Sequence, residues 1–106
     1  MPFLQTSEIP TRDLFPGVHA KLIHTDTVTI AHVILDKSAV VPEHAHIHEQ
    51  TINILEGTFE MTLDGETKMV TGGAVVVVPS NVRHTVTAIT AGKIIDVFHP
   101  VREDLK

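Results

Sequence analysis

The sequence contains no cysteine, no tryptophan and no tyrosine, and phenylalanine, present four times, is its only other large aromatic residue. Without cysteine the fold has no disulfides and a thiolate zinc finger is excluded, so a metal ion must have nitrogen and oxygen ligands. Without tryptophan and tyrosine the chain lacks the side chains on which sugar-binding modules usually stack their ligands. The composition therefore argues against a zinc finger and against a stacking sugar-binding module.

Long apolar stretches and runs of positive charge are also absent. The longest aliphatic run, residues 74–78, is far shorter than the roughly 20 residues that a membrane-spanning helix needs. The first ten residues have neither the cationic start nor the apolar centre of a secretory signal. The eight Lys and Arg residues are scattered and the formal net charge is -5, so no surface for a phosphate backbone is indicated. We expect a cytoplasmic protein with neither a membrane nor a nucleic-acid partner.

The length, the β-branched content and the turn residues of the sequence predict one all-β domain. At 106 residues the chain is long enough for a single core, and we expect one domain over residues 1–106 with a short N-terminal extension over 1–16. Valine, isoleucine and threonine make up roughly a third of the chain, and these β-branched residues favour strands. Glycine, proline and asparagine turn signals separate short apolar segments. The pattern predicts strands at 18–24, 27–35, 50–56, 58–63, 66–71, 74–78, 84–89 and 93–99.

Histidine is abundant, with eight residues, and its spacing is informative. His44, His46, His48 and Gln50 stand at alternate positions, so in an extended segment their side chains would project to one side. His84 opens a later predicted strand and would lie opposite this group if the sheet closes on itself. Imidazole nitrogens grouped in this way predict a metal site.

These residues resemble the two sequence motifs of the cupin superfamily. His44, His46 and Gly57 match the first motif, in which Gln50 takes the place of the usual glutamate. The second motif is matched by Gly73, Pro79 and His84. Ser38, Asn81 and Ala88 stand where the motifs have glycine, glycine and asparagine.

The resemblance spans residues 38–88 and implies a jelly-roll β-barrel that holds one divalent metal ion, such as nickel, zinc, manganese or iron. The implied ligands are His44, His46, Gln50 and His84. His48 is not part of the motif, and we expect it at the rim of the site. Four neutral ligands would leave the charge of the ion uncompensated, which strengthens Lewis acidity and disfavours an oxidised iron state.

The predicted C-terminal strand places an acid among apolar side chains. Ile94, Asp96 and Phe98 should share one face of this strand. A buried carboxylate is costly, so Asp96 either pairs with a cation or takes part in chemistry with a raised pKa. Arg102 is a candidate partner for Asp96 or, alternatively, a bidentate clamp for a substrate carboxylate.

A closer similarity links the His-x-His-x-His-x-Gln pattern and residues 95–104 to the KdgF family of small cupins. That family acts in pectin and alginate breakdown and converts 4,5-unsaturated monouronates to linear 5-keto-4-deoxyuronates. The similarity implies catalytic roles for Asp96 and Arg102 and substrate contacts for Phe98 and Arg102. It also implies a homodimer, for which the stretch 3–15 could supply contacts.

Two other interpretations of the sequence stay open. The first is a metal-dependent dioxygenase on the same scaffold, and Gln50 argues modestly against it because a neutral ligand set disfavours oxidised iron. The second is a non-enzymatic sugar-binding or regulatory cupin. A purely structural protein would leave Asp96 and the histidines without a role.

Overall fold

The computed structural model describes residues 3–106, and the strands in this part of the chain form two antiparallel sheets. The ten strands are β1 Arg12–Phe15, β2 Val18–His24, β3 Thr29–Leu35, β4 Val40–His44, β5 Glu49–Glu56, β6 Thr58–Leu63, β7 Glu66–Thr71, β8 Val75–Val78, β9 His84–Ala88 and β10 Gly92–His99. Short 3-10 turns at Thr6–Glu8 and Glu103–Leu105 lie near the two ends. The prediction of an all-β chain is confirmed.

The two sheets differ in size. The larger has six strands in the order β1-β2-β3-β10-β5-β8, and the smaller has four in the order β4-β9-β6-β7. Strand β10 lies between β3 and β5, at the centre of the larger sheet. No helix in the described residues is long and apolar enough to cross a membrane.

The core lies between the inner faces of the two sheets. Leu35 from the larger sheet and Phe59 from the smaller sheet are fully buried, and Ile52 is nearly so. Along β10 the buried positions alternate with more exposed ones, so Ile94, Asp96 and Phe98 face inward together, as predicted. Asp96 is therefore an acid on an otherwise apolar inner face.

Two strands were not among those predicted from the sequence. Strand β1, inside the expected N-terminal extension, pairs with β2 at the edge of the larger sheet. Strand β4, which contains Pro42, pairs with β9 at the edge of the smaller sheet. Both positions leave one side of the strand free, which is where a proline is tolerated.

The condition under which His44, His46, His48 and Gln50 would share one face, a continuously extended segment, is not met. Strand β4 ends at His44, the chain bends through residues 45–48, and β5 begins at Glu49 in the other sheet. The backbone N–H of Asn81 donates to the His46 carbonyl at 2.7 Å, and the Ser80 hydroxyl donates to the Ile47 carbonyl at 2.6 Å. Residues 45–48 therefore form a corner between the two sheets and are not part of a strand.

Left-handed backbone occurs where the motifs call for glycine. Ser38 and Asn81 have φ values of 72° and 66°. Asparagine adopts this conformation at modest cost, which explains why Asn81 replaces the motif glycine, whereas serine at position 38 bears more strain. The predicted Asp64-Gly65 hairpin is also present, with φ values of 47° and 82°.

Candidate metal centre and active site

Three histidines converge at one end of the space between the sheets. His44 on β4 and His84 on β9 are direct partners in the strand register, and their ring centroids are 4.3 Å apart. The corner after β4 brings His46 to the same place, with its ring centroid 5.0 Å from that of His84. One potential ligand atom from each of the three lies within 4.8 Å of the other two.

Gln50 reaches this cluster from the opposite sheet. It is the second residue of β5, is 6% exposed, and its Oε1 lies 3.2 Å from Nε2 of His46. The four residues predicted as metal ligands are thus brought together, three from the smaller sheet and its corner and one from the larger sheet. They can hold a single metal ion.

In all three rings the same nitrogen, Nδ1, is hydrogen-bonded to a backbone carbonyl. Nδ1 lies 2.8 Å from the Pro42 carbonyl in His44, 3.0 Å from the His48 carbonyl in His46 and 2.9 Å from the Val82 carbonyl in His84. Because a carbonyl can only accept, Nδ1 must carry the proton in each ring. Nε2 then has a lone pair, which is the form in which imidazole binds a metal.

Burial keeps the rings of His46 and His84 neutral. Desolvation lowers the pKa of His46 to about 4, and it also lowers the pKa of His84. The hydrogen bond to the His48 carbonyl opposes the shift in the pKa of His46 but does not outweigh it. At neutral pH both rings are therefore uncharged and need lose no proton to coordinate a cation.

The arrangement leaves lone pairs that lack a hydrogen-bond donor. Nε2 of His84 is buried and has no hydrogen-bond partner within residues 3–106. Nε2 of His46 faces Oε1 of Gln50, and with the His46 proton on Nδ1 both of these atoms are acceptors. A cation between them would satisfy all of these atoms. The residues therefore fit a divalent ion with nitrogen and oxygen ligands.

Asp96 lies beside this cluster on the inner face of β10. In the register of β10 and β5, Phe98 is opposite Gln50 and Asp96 is opposite Ile52, so Asp96 and Gln50 are diagonal neighbours. Burial raises the pKa of Asp96 to about 7, although the Gln50 side chain and then the charge of Arg102 act to lower it. Its Oδ1 has no hydrogen-bond partner in the described part of the chain.

Arg102 does not form the ion pair with Asp96 that was one of the two expectations. Its guanidinium instead donates to both carboxylate oxygens of Asp104, at 2.9 and 2.8 Å. Its Cζ lies 4.8 Å from the centroid of the Phe98 ring. Asp96 is therefore left without a direct cationic partner among the described residues.

A single cavity joins these groups. It has a volume of about 340 Å³ and is lined by the polar side chains of His44, Gln50, His84, Asp96 and Arg102 and by the ring of Phe98. Apolar residues from both sheets, such as Ile52 of β5 and Val86 of β9, line the rest. The volume is that of a small-molecule site.

Two segments distant in the sequence meet at this cavity. Residues 12–15 of β1 line it, and so do Asp104 and Leu105 of the C-terminal turn. Nη1 of Arg12 donates to the Leu105 carbonyl at 2.8 Å, joining residues that are 93 positions apart. This contact is called the clasp below.

His48 touches the site mainly through its backbone. Its carbonyl accepts the Nδ1 proton of His46, and the two ring centroids are 5.5 Å apart.

Sequence reasoning missed Asp104 and Arg12. An acid two residues after Arg102 was a signal for Asp104, whereas nothing local to Arg12 indicates its contact with Leu105.

Comparison with known proteins supports one family. The cupin domain profile matches residues 31–98. The pectin degradation protein KdgF of Dickeya dadantii strain 3937 is 31% identical over 100 residues, which cover 92% of this chain and 91% of that protein.

Solved structures agree with the sequence match along the whole chain. KdgF from Halomonas sp. superposes with a TM-score of 0.92 at 30% identity, covering 100% of this chain and 99% of that chain. An RmlC-like cupin from Shewanella frigidimarina NCIMB 400 gives a TM-score of 0.94 at 30% identity, covering 100% of this chain and 96% of that chain. The predicted cupin jelly roll is thus confirmed, and the chain belongs to the cupin superfamily and, within it, to the KdgF family.

Proposed function

We propose that this protein is a metal-dependent enzyme that converts 4,5-unsaturated monouronates to linear 5-keto-4-deoxyuronates. The observation that carries the proposal is the uncompensated buried acid, Asp96, next to the neutral cluster of His44, His46, Gln50 and His84. An acid with a pKa of about 7 can both accept and return a proton near neutral pH. Arg102, close by, supplies a cation for the carboxylate of a sugar acid.

The metal ion would be held by Nε2 of the three histidines and by Oε1 of Gln50. When bound, it supplies Lewis acidity toward the oxygens of the substrate. We propose nickel, zinc, manganese or iron as its identity, because the ligand set has nitrogen and amide oxygen but no thiolate. Metal analysis of protein purified without a nickel column will identify it.

Asp96 carries the proton transfers in this proposal. Its carboxylate removes the proton of the anomeric hydroxyl, so that C1 becomes an aldehyde and the bond from C1 to the ring oxygen breaks. The electrons of that bond remain on the former ring oxygen as the enolate of C4 and C5. Asp96 then returns the proton to C4, which gives the 5-keto product with no net gain or loss of atoms.

Arg102 and Phe98 hold the substrate in this proposal. The guanidinium of Arg102 binds the sugar carboxylate, and the Phe98 ring below it packs against the sugar and excludes water. Both residues line the cavity that also contains Asp96. Fixing the carboxylate in this way places the anomeric hydroxyl within the same small space as the acid.

The direct test is Asp96→Ala. Loss of the acid should slow consumption of the unsaturated uronate by about 10²- to 10⁴-fold, followed as the decay of its enol ultraviolet absorbance. Asp26→Ala, which removes an exposed acid in the turn after β2, is the matched control and should leave the rate unchanged. Unchanged consumption by Asp96→Ala would overturn the proposal. Substrate-dependent oxygen uptake by the wild type would instead favour the dioxygenase alternative.

We further propose that two copies associate, as the family resemblance implies, and that the outer face of the larger sheet is the contact. The strand register aligns Ile23, Ile30, Val97, Thr51 and Val77 in one row across five strands of this face. All five are β-branched, and Val77 is 55% exposed. Such a row would be stabilised by burial against a second copy.

The oligomeric state of variants tests this contact. Val97→Lys should give monomers in light scattering after gel filtration, whereas Leu4→Ser in the exposed N-terminal stretch should leave the dimer intact. The reverse result would move the contact to the N-terminal stretch. A location in the cytoplasm and a single domain over residues 1–106 also stay proposals, which cell fractionation and limited proteolysis can test.

A further inference from the structure

The side chain of Arg102 is held on more than one side. Its Nε donates to Oδ1 of Asp104 at 2.9 Å and its Nη2 donates to Oδ2 at 2.8 Å. The face of its guanidinium stacks on Phe98, with Cζ 4.8 Å from the ring centroid. Its backbone N–H donates to the hydroxyl of the fully buried Thr29 at 2.8 Å.

These contacts leave one edge of the guanidinium free. An arginine offers two edges to a carboxylate, one formed by Nε and Nη2 and the other by Nη1 and Nη2. Asp104 occupies the first edge with both of its oxygens. Within residues 3–106, Nη1 of Arg102 has no hydrogen-bond acceptor. The second edge therefore remains available to an incoming carboxylate.

Asp104 belongs to the cavity wall as well as to the ion pair. It lines the same cavity as Arg102 and Asp96. The side chain of Arg102 is only 13% exposed, whereas that of Asp104 is 58% exposed. The guanidinium beside it lowers the pKa of Asp104 to about 2, so the carboxylate is charged at all working pH values.

We propose that Asp104 is a positioning residue that fixes Arg102 by one edge and thereby presents the other edge to the carboxylate of the substrate. This inference rests on the proposed uronate function and adds a residue to it. Stacking on Phe98 limits the tilt of the guanidinium plane but allows it to rotate within that plane. Only a bidentate partner such as Asp104 prevents this rotation.

The kinetic test compares Asp104→Ala with Glu103→Ala. Glu103 is the neighbouring acid and pairs with Lys106 at 3.2 Å, so it is a matched control for loss of one charge. Removing Asp104 should raise KM for the unsaturated uronate about tenfold and change kcat less than threefold, because the carboxylate contact exists in both ground and transition states. Glu103→Ala should leave both constants unchanged. Asp104→Glu should recover part of the lost affinity.

A double-mutant cycle shows whether the effect passes through Arg102. In an Arg102→Ala background, Asp104→Ala should change KM less than twofold, because there is no guanidinium left to position. If Asp104→Ala leaves KM unchanged in the wild-type background, the proposal is wrong. It is also wrong if the variant raises KM by the same factor in both backgrounds.

A readout that does not depend on turnover separates this inference from the proposed function. In the ¹⁵N spectrum, the Nε–H of Arg102, assigned by its loss in Arg102→Ala, should be slow to exchange with water in the wild type. It should exchange at least tenfold faster in Asp104→Asn. Slow exchange in both proteins overturns the positioning role. If the wild type does not consume unsaturated uronates but Asp104→Asn shows the faster exchange, the proposed function fails and the positioning of Arg102 stands.

Discussion

Burial shifts the pKa values of the ionisable side chains on two walls of the cavity in opposite directions. On the wall formed by β4, β9 and the corner at residues 45–48, desolvation lowers the pKa of His46 and His84. On the wall formed by β10, desolvation raises the pKa of Asp96. Burial favours the neutral form in both cases. For histidine that form is the metal ligand, whereas for aspartate it is the proton donor.

The walls also differ in how their polar atoms are satisfied. Each of the three proposed ligand histidines donates its Nδ1 proton to a backbone carbonyl two residues away. Oδ1 of Asp96 has no such partner in the part of the chain that the structure describes. The three histidines are therefore oriented by hydrogen bonds to nearby backbone carbonyls. The buried Asp96 carries an energetic cost, which its proposed role in proton transfer would explain.

Removing a ligand from the histidine wall should have the largest effect. His84→Ala deletes a buried ring whose Nε2 has no other partner, so the protein should lose its metal. Loss of Lewis acidity worth several kcal/mol corresponds to a fall in turnover of about a thousandfold or more. Metal content and the ultraviolet assay measure both effects. His99→Ala, at the exposed end of β10, is the control, and a His84→Ala protein that keeps metal and activity would contradict the assignment.

Replacing the buried Asp96 by a neutral side chain should raise the free energy of unfolding by an amount that depends on pH. In metal-free protein the folded state keeps the Asp96 proton up to its pKa of about 7, whereas an unfolded chain releases it near 3.8. Wild type therefore loses stability as the pH rises between these values. Asp96→Asn does not titrate and should be more stable than wild type above pH 7 by on the order of 4 kcal/mol, because the two pKa values differ by about 3 units and each unit is worth about 1.4 kcal/mol.

Urea unfolding at a series of pH values measures this difference. The gap between Asp96→Asn and wild type should narrow as the pH falls and close below pH 3.8, because Asp96 is then protonated in both the folded and unfolded states. Asp26→Asn, at an exposed position, controls for the change of one carboxylate to an amide. A gap that does not vary with pH would mean that Asp96 is not a buried ionisable group.

Placing a charge at Gln50, the proposed ligand that comes from the larger sheet, should have the smallest effect of the three. Gln50→Glu keeps the size of the ligand and adds a carboxylate, so the metal should bind about tenfold more tightly, an effect of about 1.4 kcal/mol. Turnover should fall about tenfold, because the extra charge weakens the Lewis acid and also faces Asp96. Chelator competition and kcat report the two changes. Weaker metal binding by Gln50→Glu would show that position 50 is not a ligand.

Much of the fold could be predicted because alternation and turn residues are local signals. The Asp64-Gly65 hairpin and the inward face of β10 follow from two-residue periodicity and turn chemistry. Strands β1 and β4 could not be predicted in this way. β1 consists of exposed and half-buried residues, and β4 contains Pro42, so neither has the apolar alternation of a central strand. Their pairing depends on partners far away in the sequence.

The candidate site was predictable only where a motif names the residues. The spacing of His44, His46 and His84 carried the metal hypothesis, and it did so although residues 45–48 form a corner between two sheets and are not an extended segment. The choice of Asp104 over Asp96 as the partner of Arg102 depends on the position of the C-terminal turn. Which of two acids pairs with an arginine is determined by three-dimensional geometry, so it could not be predicted from the spacing of these residues in the sequence.

The clasp between Arg12 and Leu105 lies apart from the residues proposed to carry out the reaction. The proposed ligands and Asp96 lie in or beside strands within the two sheets, while the clasp joins an edge strand to a terminal turn. Substitutions at positions 12–15 and at Leu105 would change the lining of the cavity while leaving the strands that carry the proposed ligands and Asp96 intact. An engineer seeking a different substrate should therefore diversify these positions together and leave Asp104, which holds Arg102, unchanged.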